Sequence, residues 1–196
     1  MPIQEMLAIK NSGNQEAKLA LLMAIQCAPL IRNRVVANVL TIKRKDAEGI
    51  IEILRGTGIV FYILRTKGDK VILFLYRRKE LKKYLESEEV SFFLAEYGYE
   101  EKCIEDMLKH LSCRIAFYSD SHTTFPHEIG IFLGYPLADV RSFIENDGKN
   151  SSYTGYWKVY HNVQETIKLF NSFDEERELA VREIIKGKSI WEIAMV

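Results

Sequence analysis

Side chains that could transfer protons lie close together in the second half of the chain. His127 and Glu128 are adjacent, and Lys158 follows in the next aromatic segment. Imidazole, carboxylate and amine groups act as general acids and bases when they meet in one cavity. One interpretation is therefore an enzyme of unknown class that uses these three groups. No G-x-G-x-x-G, P-loop or G-x-S-x-G motif accompanies them, so the sequence assigns neither a catalytic residue nor a cofactor.

The histidines also raise the question of a metal site. His122, His127 and Glu128 are near each other in the chain, but their spacing differs from H-E-x-x-H and other standard zinc patterns. A histidine directly before a glutamate at a helix start is more typical of a cap or a surface pair. We therefore predict that no metal is bound.

Tyrosine and lysine alternate in the last aromatic segment. In an extended strand Tyr156, Lys158 and Tyr160 would share one face, opposite Trp157 and Val159. Rings interleaved with a cation can stack on a base or another flat ligand. The alternative is the solvent face of an edge strand, where a lysine prevents unwanted strand pairing.

Small and apolar residues between positions 126 and 146 have the spacing of a helix-turn-helix. Gly130 would let two helices, predicted at 126–133 and 137–146, approach each other, and Gly134 would make the turn between them. Joined to the aromatic strand, this helix-turn-helix-like corner gives a candidate ligand or partner surface. Its residues are His127, Glu128, Tyr135, Tyr156, Lys158 and Tyr160.

A corner of this kind either reads DNA or is purely structural. A DNA reader would place its second helix in a major groove and contact phosphates through lysine and arginine. Here that helix carries Arg141 against Asp139, Glu145 and Asp147, which would face phosphates with the wrong sign. The structural alternative is favoured, and nucleic-acid binding is disfavoured.

The three cysteines show neither a disulfide pattern nor a ligand pattern, because their number is odd and their spacing wide; they are Cys27, Cys103 and Cys113. Cys27 lies at the C-terminal end of an apolar helix, whereas reactive thiolates prefer helix N-termini or cationic neighbours. Buried packing is therefore favoured, although Arg32 and Arg34 leave a nucleophilic role open.

Charge is distributed unevenly along a chain of zero net charge. Residues 1–85 contain 16 Lys and Arg against 7 Asp and Glu, whereas residues 86–196 contain 11 against 20. These opposite balances indicate either a basic surface for an anionic partner or two parts that neutralise each other. We favour the second, because nucleic-acid-binding domains are usually basic overall. No signal peptide and no membrane span is recognised, so we predict a cytoplasmic protein without membrane contact.

Hydrophobic periodicity predicts one α+β domain. Strands are predicted at 35–42, 58–65, 70–77 and 155–160, packed against helices that do not alternate regularly with them. The second and third strands are apolar on both faces and need cover on both. Residues 1–173 would form this domain. Residues 174–196 would form a charged helical appendage, whose apolar end could contact a protein partner or a second copy of the chain.

The stretch FPHEIGIFLGYPLADVRSFIENDGKN, followed by GYWKVY, resembles the signature of a bacterial family, domain-of-unknown-function family 3793. CAP at Cys27–Pro29 and LFLYR at Leu73–Arg77 are similar to upstream motifs of that family. Gln26 is a departure, because the family has a histidine there. The resemblance covers nearly the whole chain up to Phe173. It implies no catalytic residue, because the family has no assigned activity.

The sequence therefore favours a non-enzymatic cytoplasmic binding or regulatory module. The enzyme described above and a weak nucleic-acid binder acting through the corner are the alternatives.

Overall fold

The structure, a computed structural model, describes residues 2–100, 103–121 and 125–195. At its centre is an antiparallel sheet of β1 (Ala37–Lys43), β2 (Val60–Lys67) and β3 (Lys70–Tyr76), in the order β1-β3-β2. These strands correspond to the first three predicted strands. A tight turn joins β2 to β3, and its Gly68 has a φ of +57°, which glycine adopts without steric cost.

Helices make up most of the rest of the described chain, and the α+β class is confirmed. They are α1 (Ile3–Asn11), α2 (Gln15–Ile31), α3 (Ala47–Leu54), α4 (Arg78–Leu85), α5 (Glu88–Ala95), α6 (Ile104–Ser121), α7 (Ile129–Phe132), α8 (Leu137–Glu145), α9 (Val163–Ile185) and α10 (Ile190–Ala194). A 3-10 turn, Arg44–Asp46, precedes α3. Within the described ranges, no helix combines the length and the apolar composition needed to cross a bilayer.

Helices cover the sheet on both faces, because its central strand is apolar on both. Leu73 and Leu75 of β3 belong to a buried cluster with α2, α3, α9 and α10. Phe74 and Tyr76 point to the opposite face and pack in a second cluster with helices α4 to α8. This double cover agrees with the prediction for β3 but not for β2, an edge strand on which Val60, Phe61 and Ile63 remain exposed.

The fourth predicted strand, at 155–160, does not join the central sheet. Instead β4 (Tyr153–Thr154) and β5 (Lys158–Val159) form a separate antiparallel hairpin. Residues 155–157 make its turn, which is closed by a hydrogen bond from Gly155 N to Trp157 O at 3.1 Å. A Cβ at Gly155 would lie 2.3 Å from Phe170 of α9, so glycine is required there. This turn interrupts the predicted alternation, and Tyr156 and Trp157 lie in no strand.

The C-terminal segment packs into the fold. Helix α9 runs without a break through residue 173, where the sequence predicted the end of the domain. Beyond that point several apolar side chains join the cluster formed by α2 and β3; they are Ala180, Val181, Ile184, Ile190 and Ile193. Near the end of α2, Arg32 forms ion pairs with Glu176, at 3.2 Å, and with Glu183. These ion pairs also connect the basic and acidic parts of the chain.

This placement differs from the peripheral position that the charged composition suggested. Because α9 is amphipathic, most of its charged residues lie outward and its apolar stripe lies inward, whereas Glu176 is buried in its ion pair with Arg32. A capping box starts α10, with Glu192 N donating to Ser189 Oγ at 3.2 Å. Trp191 and Met195 remain exposed, so contact of this end with a partner stays a prediction.

Candidate ligand-binding site

Two short helices form the corner that precedes the hairpin. α7 is a single turn, shorter than predicted, and α8 lies within the predicted range. A Cβ at Gly130 would lie 2.9 Å from Val140 Cγ2, so α7 and α8 approach each other at this glycine. Gly134 has a φ of +78°, and a Cβ there would lie 2.6 Å from Val36 Cγ2. The turn therefore requires glycine for its backbone conformation and for its packing.

Asp139, in the first turn of α8, joins the corner to the hairpin. Its side chain is only 2 % exposed. Asp139 Oδ2 accepts a hydrogen bond from Trp157 Nε1 at 2.8 Å. Asp139 Oδ1 accepts the backbone N–H groups of Tyr160 and His161, both at 2.9 Å. The prediction that Asp139 would face DNA phosphates together with Glu145 and Asp147 is therefore wrong for Asp139, because its carboxylate is buried and anchors the hairpin.

A cavity of about 310 Å³ lies between the corner and the hairpin. Apolar and aromatic side chains form most of its wall; they are Phe125, Ile129, Leu133, Tyr135, Val140, Phe143 and Trp157. The polar side chains on the wall are His127, Asp139, Thr154 and Lys158. A mainly apolar wall with a few polar groups is typical of small-molecule sites, and this volume is at their lower end.

His127 lies between aromatic rings on the cavity wall. Its ring centroid is 5.4 Å from that of Phe125 and 4.9 Å from that of Phe143. Burial lowers the pKa of His127 below 6.5, although the nearby carboxylates of Glu128 and Asp147 act in the opposite direction. The imidazole is therefore mainly neutral at pH 7. Its side chain makes no hydrogen bond to the described residues, so it can offer a ligand one N–H donor and one acceptor.

Lys158, on β5, brings a cation to the same wall. Its ammonium group donates a hydrogen bond to Gly148 O and lies 5.8 Å from the ring centroid of Phe143. Among the residues that the structure describes, no carboxylate forms an ion pair with it. The hairpin carries the Lys158 side chain, and the loop after α8 accepts the hydrogen bond from its ammonium group. The two segments together fix the charge at the cavity.

Tyr135 and Trp157 form a stacked aromatic wall, with ring centroids 4.9 Å apart and planes inclined by 27°. Tyr84 Oη donates to Tyr135 O at 2.5 Å. Burial raises the pKa of the Tyr135 phenol, which therefore stays protonated. Since Asp139 also holds the Trp157 indole, this wall is fixed by hydrogen bonds from both of its sides.

Three of the six predicted surface residues line this cavity: His127, Tyr135 and Lys158. The other three have different environments. Tyr156 packs against α9, where Tyr156 Oη donates to Asp174 at 2.9 Å. Tyr160 Oη donates to Lys149 O at 3.0 Å. The two outer tyrosines of the predicted strand therefore support the hairpin and do not line the cavity.

Glu128 is fully buried and does not line the cavity. Its Oε1 pairs with Arg114 and accepts a hydrogen bond from Tyr99 Oη at 3.1 Å. Its Oε2 has no hydrogen-bond partner among the described residues. Although Glu128 follows His127 directly, the two side chains therefore have separate environments.

No group of three or more His, Cys, Asp and Glu side chains that could hold a metal occurs among the described residues. His122 lies outside them. Cys27 is fully buried, and burial raises the pKa of its thiol to about 12, whereas Cys103 and Cys113 are exposed.

Sequence reasoning missed Asp139 and the cavity-lining phenylalanines. An aspartate in the first turn of a helix is ordinary, and nothing local distinguishes a buried one from a solvated one. Trp157 beside Lys158 was a usable signal, because an indole N–H that becomes buried needs an acceptor.

The family described as "Protein of unknown function (DUF3793)" matches residues 23–194. This match covers most of the chain, so the chain belongs to that family and the resemblance seen in its motifs is confirmed. The match also extends beyond residue 173. No curated protein and no solved structure matches the chain.

Proposed function

Since that family has no assigned activity, we propose from the cavity that the protein is a non-enzymatic binding or regulatory module. Its ligand would be a small, mainly apolar molecule held between the corner and the hairpin. The observation that carries the proposal is an aromatic-walled cavity whose wall is fixed before any ligand enters. Fixed walls reduce the ordering cost of binding.

Binding is proposed in preference to catalysis because the three candidate groups do not converge. His127 and Lys158 line the cavity, but the carboxylate of Glu128 is held elsewhere by Arg114. A proton-transfer mechanism that needs all three groups at one substrate has no support in this arrangement.

Nucleic-acid recognition by the corner has little support either. Arg141, the basic residue of α8, lies 3.8 Å from a carboxylate oxygen of Glu96, and its guanidinium lies 5.0 Å from the ring centroid of Phe93. It is therefore already engaged within the protein. We also propose a cytoplasmic location, which suits the exposed free thiols of Cys103 and Cys113.

A neutral aromatic amide, 2-naphthamide, tests the cavity in isothermal titration of the full chain. A ligand of this size in a complementary site binds with a Kd on the order of 1 mM or tighter. Thr154→Phe places a ring at the cavity wall and should weaken binding at least about tenfold. The matched control is Thr41→Phe, an exposed position on β1, which should leave binding unchanged.

Saturable binding that Thr154→Phe removes and Thr41→Phe retains would support the proposal. Absence of saturable binding to the wild-type chain would overturn it. Equal binding by the two variants would overturn it as well, because the site would then lie elsewhere.

A further inference from the structure

We infer that the cavity selects small aromatic anions, with Lys158 as the counter-ion of a ligand carboxylate. This inference rests on the binding function proposed above and names the chemical class of the ligand.

The first argument is the charge of Lys158. Its ammonium group has three donors, and the described residues supply one acceptor, Gly148 O. A partly buried ammonium without a carboxylate partner is costly, and an anion in the cavity would remove that cost. Its contact with the Phe143 ring is a cation–π interaction, which gives it no hydrogen bond.

The second argument is the balance of donors and acceptors. The one carboxylate on the wall, Asp139, already accepts three N–H groups from the hairpin. The remaining hydrogen-bonding capacity is mainly that of Lys158, His127 and the Thr154 hydroxyl, which lies 3.5 Å from Ser151 Oγ. Lys158 is the donor-only group in this set, and a carboxylate, which only accepts, is complementary to it.

The third argument is the shape and chemistry of the wall. Phe125, Tyr135, Phe143 and Trp157 present rings to a volume of about 310 Å³. Rings prefer offset or edge-on contact with other rings, so a flat aromatic ligand suits the space better than a branched polar one. The size limits the ligand to a compound of one or two fused rings with a short anionic group.

A neighbouring cavity of similar volume gives a useful contrast. It lies on the other side of the Tyr135–Trp157 stack, which contributes to the walls of both cavities. Its cation, Arg34, already pairs with Glu176 at 2.7 Å. The argument for an anion therefore applies to the cavity that contains Lys158 and does not extend to its neighbour.

The test compares 2-naphthoate with 2-naphthamide, which share ring and shape and differ in charge, by isothermal titration of the full chain near neutral pH. We expect naphthoate to bind at least about tenfold more tightly, because hydrogen bonds to charged groups contribute more than neutral ones. Lys158→Met should abolish this preference. Lys158→Arg should retain it. Lys149→Met, at an exposed lysine in the loop before the hairpin, is the matched control and should also retain it.

The possible outcomes separate the anion preference, the role of Lys158 and the binding function itself. Equal affinities in the wild-type chain would overturn the anion inference and leave the proposed binding function standing. A preference that survives Lys158→Met would overturn the role of Lys158. If neither compound binds the wild-type chain, both the inference and the proposed function fail.

Discussion

Replacing Asp139 by alanine should destabilise the protein by about 3–5 kcal/mol. The side chain is 2 % exposed and accepts three hydrogen bonds, from one indole N–H and two backbone N–H groups. A hydrogen bond to a charged group contributes about 1.5–3 kcal/mol, so three of them would contribute about 4.5–9 kcal/mol, mostly above the range given. We discount the sum because the donors are only partly buried. The reduced value agrees with the roughly 3–5 kcal/mol of stability that is lost when one partner of a buried charged network is removed.

Asp139→Asn tests the same hydrogen bonds more finely. Its amide oxygen can still accept both backbone N–H groups, but its amide N–H₂ would then face the N–H of Trp157. This donor–donor contact should cost about 1–3 kcal/mol. In a Trp157→Phe background the contact is absent, so the cost of Asp139→Asn should fall by at least about 1 kcal/mol. That difference is the coupling energy of a double-mutant cycle.

Urea unfolding followed by circular dichroism measures these free energies, with all variants at one pH. Glu145→Ala, an exposed acidic position on the same helix, is the control and should stay within about 0.5 kcal/mol of the wild type. A cost below about 1 kcal/mol for Asp139→Ala would refute the assignment of Asp139 as the anchor. A cycle without coupling would show that the indole hydrogen bond contributes nothing measurable.

Three further predictions concern the C-terminus and the thiols. Deleting residues 174–196 should unfold the chain, because it removes four buried Val and Ile side chains. Each contributes about 1.5–3 kcal/mol of burial free energy, and their sum approaches the whole stability of a domain. A cooperative urea transition in the truncated chain would contradict this, and deletion of residues 195–196 is the control. Iodoacetamide should modify the exposed Cys103 and Cys113 in the folded protein but Cys27 only after unfolding. Because burial raises the pKa of Cys27 from 9.0 to about 12, its stabilising contribution is complete below pH 9 and is lost as the pH rises toward 12. The loss of stability between about pH 8 and about pH 10 should therefore be smaller in Cys27→Ala than in the wild type, as urea midpoints would show.

The central sheet could be predicted because its signals are local. β3 is a short apolar run preceded by a glycine turn, and both features persist whatever surrounds them. The alternating pattern of residues 155–160 predicted a single strand, but a strand and a tight hairpin can share such a pattern. The decisive contact is Gly155 against Phe170, which are distant in sequence, so periodicity alone could not reveal it.

The helices and turn of the corner were predicted more accurately than the directions of its side chains, and its role as a binding surface stays a prediction. The corner was predicted from Gly130 and Gly134, whose roles depend on backbone geometry that the sequence expresses directly. Which way each side chain turns depends on packing between distant segments. His127 and Glu128 are neighbours in the chain, yet one lies on the cavity wall and the other pairs with Arg114.

The buried carboxylate of Asp139 would connect stability to the proposed ligand binding. A well-packed apolar side chain at this position could stabilise the protein as much as the buried carboxylate does, so stability alone does not explain an aspartate there. What an apolar side chain cannot do is fix the orientation of an indole and of two backbone N–H groups at once. The same hairpin carries Trp157 and Lys158 to the cavity, so its position sets the distance between the aromatic wall and the cation. A loosened hairpin would lose that distance, and with it the geometry on which the proposed selection of an anionic ligand depends.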